Sequence, residues 1–151
     1  MDFEWKVYGN INPAFVESQI EIKHSDVNVS ICGVAKPKEL IHALLNSTVY
    51  VHPSYIDNSP NSLCEAQILS CSVIATNVGG VSSMVKEGET GFLVPANDPY
   101  QMAIAVNNLF RDRKLNISIG SNARKEALER HNPHKIISNL LQVYERVMSV
   151  K

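Results

Sequence analysis

The sequence has 151 residues, 44% of them hydrophobic and 19% charged, with a net charge of −1 from 14 basic and 15 acidic side chains. So even a balance argues against nucleic acid or an acidic membrane surface as the partner of this chain, and no apolar run approaches the roughly 18 residues of a membrane span. Three cysteines, Cys32, Cys64 and Cys71, with no CxxC pair, exclude a disulfide framework or zinc knuckle and read as reduced, mostly buried thiols of a cytosolic protein.

The chain opens on "MDFEWKVYGN", which carries charge and a Trp and reads as a strand over 4–9, not as a signal peptide. Asn12 as N-cap with Pro13 at the first helical position starts a helix to about His24. "VNVSIC" (27–32) is a second strand, ended by Gly33. Pro37 opens a helix through Leu45, with Leu40, Ile41, Leu44 and Leu45 on one apolar face. "TVYVHP" (48–53) is a third strand, 61–70 a helix, "SVIATN" (72–77) a fourth strand and "TGFLVP" (90–95) a fifth. Three helices close the chain. The first, 98–111, turns Met102, Val106, Leu109 and Phe110 inward, and the second, 115–130, turns in Leu115, Ile119, Ala123 and Ala127. The third follows Asn132-Pro133 and buries Ile136, Ile137, Leu140, Leu141, Tyr144 and Val147. No repeat, low-complexity tract or interdomain linker interrupts the pattern, which therefore reads as a single domain over 1–151.

Strands alternating with helices predict an α/β fold: a mostly parallel sheet with helices on both faces. Ligands bind such sheets beyond the carboxyl ends of the strands, which directs attention to the loops at 9–12, 33–37 and 52–61. The third holds "SYIDNSPNSLCEAQ", with two acids, Asp57 and Glu65, and seven residues between them around a predicted helix start. The first amides of that helix, at Asn61, Ser62 and Leu63, have no partners within it, and the dipole adds partial positive charge, so the end suits a phosphate. Ser59 is in place to cap. Glu65, one turn in, suits a sugar diol, and Asp57 stands on the other side of the turn, near whatever the phosphate carries. The plainer reading is that an acid in the first turns of a helix answers the dipole and that Asp-Asn-Ser-Pro is a simple turn. The histidines at 24, 42, 52, 131 and 134 lack metal-ligand spacing and read as solvated or capping residues; no metal is expected.

The stretch "VYVHPSYIDNSPNSLCEAQILSCSVIATNVGGVSSMVKEGETGFLVPANDP" resembles the C-terminal, donor-binding domain of retaining GT-B glycosyltransferases of family four. The order matches: strand, Pro-Ser, acid, seven residues, Glu-Ala, a strand ending Ala-Thr, Gly-Gly, then Gly88, Gly91, Leu93 and Val94. The resemblance extends more weakly over nearly the whole chain. It implies a Rossmann-like domain that binds a nucleotide-diphosphate sugar, needs no metal or other cofactor, and transfers the sugar to a glycan or lipid acceptor with retention. It implies that Glu65 binds the ribose and that Asp57, the catalytic acid position, lies against the donor sugar. The backbone of Asn61, Ser62 and Leu63 would hold the diphosphate, and Gly33 and Val34 would line the base. Pro53 and Ser54 would shape the loop entrance, and Gly79 and Gly80 would let backbone pass close by. The parent is expected to be cytoplasmic, with room for a peripheral place at the inner membrane face.

The departures carry as much weight. Asp57 stands where the family usually has Glu, one methylene longer. Ser83 stands where an acid often follows Gly-Gly. The family's opening strand, basic Gly-rich loop and long helix are absent, and so is the N-terminal acceptor domain. Lys36 and Lys38 lie in the loop expected near the base, not where the missing cations would be. The missing strand belongs between the strands at 4–9 and 48–53, so those two are expected either to pair directly or to have the gap filled by another chain, an exposed edge being a swapping hazard. The partners implied are the nucleotide-sugar and the parent's N-terminal domain, with homo-oligomers through exposed strand edges as a further option. The family's C-terminal helices cross back toward that domain, so the last helix is expected either to pack on the sheet or, without that partner, to leave its face around Leu140–Met148 partly exposed and able to drive dimerisation. Two other readings stay open: a non-catalytic nucleotide-binding or assembly module, and a nucleotide-sugar epimerase-like domain. A dehydrogenase or flavodoxin-like domain is disfavoured because no G-x-G-x-x-G follows a strand.

Overall fold

The computed structural model describes residues 3–149. Residues group into two compact units, one up to Ala43 and the other from Leu44 on.

In the first unit, strand β1 (Trp5–Tyr8) pairs in parallel with β2 (Val29–Gly33), and helix α1 (Pro13–Ile20) lies between them in sequence. The Asn12 side chain caps α1 by accepting from Phe15 N at 3.2 Å, with Pro13 directly inside, as the sequence predicts. The helix ends earlier than 24. Glu21 takes a left-handed conformation with its amide on Glu17 O, and a 3-10 turn at His24–Val27 follows. Helix α2 (Pro37–Leu45) starts and stops as predicted; Leu44 is buried and Leu40 half-buried, but Ile41 and Leu45 are exposed.

The second unit holds a parallel sheet in the order β3 (Val49–His52), β4 (Ser72–Thr76), β5 (Phe92–Val94). Helix α3 (Asn61–Ile68) connects β3 to β4, and α4 (Pro99–Arg111), α5 (Arg113–Arg130) and α6 (Pro133–Ser149) follow β5. Every residue of β4 is buried, so both faces of the sheet's middle strand are covered, and its unbroken apolar run fits a central parallel strand. On one face Ile74 and Val94 meet Ala105, Leu109 and Ile119. On α4 the buried side runs through Met102, Ala105, Val106 and Leu109, while Phe110 is exposed. The helical period between Met102 and Leu109 places Ala105, not Phe110, on the inner stripe. On α5, Ile119, Ala123 and Ala127 are buried as predicted and Leu115 is half-buried.

Asn116 ties the amino ends of the strands together. Ser72 Oγ donates to its backbone and side-chain oxygens at 2.7 Å each, and its own Nδ2 donates to Thr48 O and Leu109 O at 3.0 and 3.2 Å. Asp98 and Asp112 cap α4 and α5 by accepting from Gln101 N and Leu115 N, each at 2.9 Å. Of the three cysteines, all free thiols, Cys64 and Cys71 are buried and Cys32 is exposed.

Two expectations need correction. Of the two alternatives for β1 and β3, direct pairing is not what the structure has: they share no ladder and lie in separate sheets, which leaves filling of the gap by another chain as the other. Each already has a parallel partner on one side, and on the other the resemblance places a third strand, not a direct neighbour. The stripe of α6 is the second. Ile136, Ile137, Leu140, Leu141, Tyr144 and Val147 are 49–68% exposed and no residue of α6 is buried. Periodicity shows that a helix has an apolar side but not what covers it. The chain is therefore expected to bind the dye ANS at this helix, and Leu140→Glu with Tyr144→Glu to remove most of the fluorescence without lowering Tm. Unchanged fluorescence in that variant would show the face to be covered.

Candidate functional site

The predicted site residues of the second unit converge at the carboxyl end of its sheet, where β3 passes through a loop at 53–60 into α3. Thr76, the last residue of β4, pins the loop's entrance: its hydroxyl donates to Ser54 O and, at 3.4 Å, to His52 O. Tyr55 reaches across to the turn after β5, its hydroxyl donating to Asn97 Oδ1 at 2.6 Å. The middle of the loop rests on the Gly-Gly pair. Gly80 N donates to Asp57 O at 3.2 Å, and a Cβ on Gly79 or Gly80 would stand 2.2 Å from Asp57 O or 2.0 Å from Asn58 O. Both glycines are needed for this close backbone approach, and Gly79 also has a φ of +49°.

The N-terminus of α3 is open. Pro60 is its N-cap, and no side chain bonds the first amides, so Ser59 does not cap. A proline fits there because its fixed φ prepares the turn, but it offers no side-chain acceptor. The first backbone bond runs from Cys64 N to Pro60 O at 3.3 Å, which leaves the amides of Asn61, Ser62 and Leu63 ahead of it. Asn61 is exposed and the Leu63 side chain is fully buried, anchoring the helix. Glu65 is exposed one turn further in.

Asp57 is partnered in a way the sequence does not announce. Its Oδ2 lies 3.2 Å from His52 Nε2, with both side chains largely withdrawn from solvent. His52 Nδ1 lies 3.2 Å from the Tyr50 hydroxyl, and that hydroxyl donates to Ser62 Oγ at 2.9 Å. The Tyr50 and His52 rings stack with centroids 6.2 Å apart. His52 is therefore neither solvated nor a cap. The available signal was strand alternation: residues 50 and 52 share a face, and two polar residues on one face at the carboxyl end of a parallel strand are out of keeping with burial alone. Burial pushes the Tyr50 hydroxyl up from its ordinary pKa; its bond with Ser62 opposes this, and Glu65 and Asp57 nearby add to the rise.

The rear of α3 is held by cations from α5. Arg124 Nη1 donates to Ile68 O, and Arg130 Nη2 donates to the fully buried Gln67 Oε1 at 2.6 Å. Positive side chains there complement the helix dipole. At Ser83, where an acid was missed, the hydroxyl folds back onto Gly80 O at 2.7 Å. In the first unit, Gly33 ends β2 with a φ of +70° and Val34 is 79% exposed. Among the described residues no group of three His, Cys, Asp or Glu side chains is placed to hold a metal ion, and no helix is long and apolar enough to cross a membrane.

Comparison with known proteins places this geometry in context. The chain is 35% identical over 134 residues to the capsular polysaccharide biosynthesis glycosyltransferase CapM of Staphylococcus aureus, covering 85% of this chain and 35% of that protein. It is 34% identical over 102 residues to a D-inositol 3-phosphate glycosyltransferase of Corynebacterium efficiens, covering 68% of this chain and 24% of the relative. The chain thus spans about a third or less of the length of these relatives. Among solved structures, sucrose-phosphate synthase of Thermosynechococcus elongatus superposes with a TM-score of 0.80 at 24% identity, over 97% of this chain and 39% of that one. HepE of Anabaena, solved in complex with UDP-glucose, gives 0.77 at 18% identity, over 97% and 41%. At those identities the structures speak for the fold. The sequence model described as "Glycosyl transferases group 1" matches residues 5–126, and the chain belongs to that family.

Proposed function

We propose that this chain is the donor-binding part of a retaining glycosyltransferase, taking a nucleotide-diphosphate sugar whose diphosphate sits at the N-terminus of α3. The observation that carries the reading is the uncapped helix end, with free amides at Asn61, Ser62 and Leu63, standing between Asp57 and Glu65. Helix amides and dipole favour an anion there. Glu65 takes the ribose hydroxyls, and Asp57 faces the donor sugar as the catalytic acid position. Gly33 and Val34 are assigned to the base on the family resemblance alone. No metal or other cofactor enters this scheme. HepE, which shares the fold, is described in complex with UDP-glucose, in keeping with this class of donor.

Breaking the bond to the sugar leaves a diphosphate whose charge needs stabilising as the sugar becomes oxocarbenium-like. The α3 terminus supplies part of that, and the basic loop that the resemblance calls for supplies the rest in a longer parent. The working partner of this part is an N-terminal acceptor domain, with pairing between copies through strand edges as a second association, and its setting is cytoplasmic. Calorimetric titration with UDP, GDP and ADP tests the core of this. One nucleotide is expected to bind, and Glu65→Ala to weaken it by about tenfold or more, the loss of one or two charge-assisted hydrogen bonds. Equal binding by Glu65→Ala would remove the ribose role.

A further inference from the structure

Serine hydroxyls in or beside the helices of this chain have an ordinary fate. Those of Ser18, Ser47, Ser83 and Ser149 each donate to the carbonyl three residues earlier, at 2.7–2.9 Å. Ser62 does not. The carbonyl three residues before it belongs to Ser59, which lies outside α3, beyond the extended N-cap Pro60. Ser62 Oγ instead accepts from the Tyr50 hydroxyl of β3 at 2.9 Å. Burial holds the Tyr50 pKa up, so the phenol keeps its proton at neutral pH and gives it to Ser62.

A hydroxyl that accepts in this way still has its own proton to give. Among the described residues no carbonyl or carboxylate takes it; the nearby carboxylate of Asp57 is held on His52. Ser62 is half-buried in the first turn of α3, between Asn61 and Leu63, whose amides are also without partners in the helix. The need to satisfy a buried phenol accounts for the bond from Tyr50. It does not account for a partly exposed donor left over beside three open amides.

We propose that Ser62 Oγ is a side-chain donor to a phosphate oxygen at the N-terminus of α3, and that Tyr50 is its positioning residue. The proposal rests on the placement of the nucleotide diphosphate given above. Tyr50 fills the acceptor side of Ser62 Oγ from the sheet, which leaves the Ser62 O–H to turn outward to the anion. That O–H is set before the ligand arrives, so less side-chain freedom is lost on binding. The phosphate oxygen is charged, and a charge-assisted bond outweighs the neutral one to water that it replaces. Ser62 donates and the phosphate accepts; no proton is transferred and no covalent bond changes.

The test titrates the chain, labelled with nitrogen-15 on its backbone, with inorganic pyrophosphate, which carries the diphosphate and no base. The amides of residues 61–63 are expected to shift. Ser62→Ala should weaken binding by about tenfold, and Ser62→Thr, which keeps a hydroxyl, should hold most of the affinity. Tyr50→Phe should weaken it by about two- to tenfold, because the Ser62 hydroxyl is no longer aimed. Thermal unfolding of the same variants separates a ligand donor from a structural pair. Ser62→Ala takes an acceptor from the Tyr50 phenol, and Tyr50→Phe removes the phenol. The double variant should therefore regain whatever Tm Ser62→Ala loses, while its affinity stays as low as that of Ser62→Ala. Affinity that returns with Tm would overturn the donor role and make the pair structural. Amide shifts with wild-type affinity in Ser62→Ala would also overturn it, but leave the diphosphate at the helix end. No amide shift with pyrophosphate would overturn the proposal and the placement of the diphosphate together; whether the chain takes a nucleotide at all is decided separately by the calorimetric titration with UDP, GDP and ADP.

Discussion

Gly80→Ala is expected to cost the protein stability and its nucleotide together. A Cβ at this position would lie 2.0 Å from Asn58 O and 3.0 Å from Asn58 C, both backbone atoms that cannot swing aside as a side-chain tip does. The loop must retreat by about an ångström, and overpacking of this kind costs about 1–3 kcal/mol. In a domain of this size that lowers Tm by roughly 3–10 °C. The functional loss comes from the same movement. The loop that retreats carries Asp57, whose carbonyl accepts from Gly80 N at 3.2 Å and whose carboxylate is held on His52. Gly79→Ala adds backbone strain to a 2.2 Å clash with Asp57 O and should be at least as damaging. Gly88→Ala is the control. It also has a positive φ, +71°, but its Cβ would meet nothing within 4 Å. It should lose about 1 kcal/mol through strain alone and keep nucleotide binding. Thermal unfolding and titration of the three variants separate the cases, and wild-type Tm and affinity in Gly80→Ala would show that the loop does not rest on the glycines in solution.

How much of this was legible in the sequence depended on what each signal encodes. Capping is local chemistry, so Asn12-Pro13, Pro37 and Asn132-Pro133 marked helix starts that the structure reproduces. The alternation of strands with helices gave the parallel pairing, because parallel neighbours require crossovers. The Asp57–Glu65 spacing located the α3 terminus for the same reason: it is a short-range pattern around one turn. Ser59 failed as a cap because Pro60, a residue later, takes the N-cap position. What the sequence did not disclose was long-range or cooperative. The His52–Asp57 contact depends on how the loop folds back over the strand, and Thr76, which pins that loop, comes from another strand. The α6 stripe was read correctly as apolar, but its burial is a property of a neighbour and not of the helix. Phe110 faces outward and Ala105 inward because several apolar residues on α4 compete for the inner face and only packing chooses among them.

Gln67→Leu is expected to cost about 2–3 kcal/mol despite keeping nearly the same volume, since it takes the acceptor from a half-buried charged donor. Gln67 is fully buried on α3 and bridges two segments: its Nε2 donates to Met84 O at 2.9 Å, and its Oε1 accepts from Arg130 Nη2 at 2.6 Å. Arg130 Nη1 reaches the same Met84 carbonyl at 3.3 Å, and its Nε is already buried without a partner. A guanidinium cannot shed its charge to adapt, so loss of Oε1 leaves it with one weak bond. Arg130→Met alone frees Gln67 Oε1 and should cost somewhat less, because an orphaned neutral amide is cheaper than an orphaned cation. The double variant deprives the Met84 carbonyl of both of its donors, but it removes both polar side chains and leaves apolar groups of similar size. It should recover part of the loss, giving a favourable coupling of about 1–3 kcal/mol in a double-mutant cycle by denaturant unfolding. Simple additivity would mean that the cluster does not act as a unit. The cycle also bears on the site. Gln67 and Glu65 share α3, and the opposite end of that helix offers its amides to the proposed diphosphate. A helix loosened at its rear aims those amides poorly, so nucleotide affinity should fall in Gln67→Leu and return with Tm in the double variant.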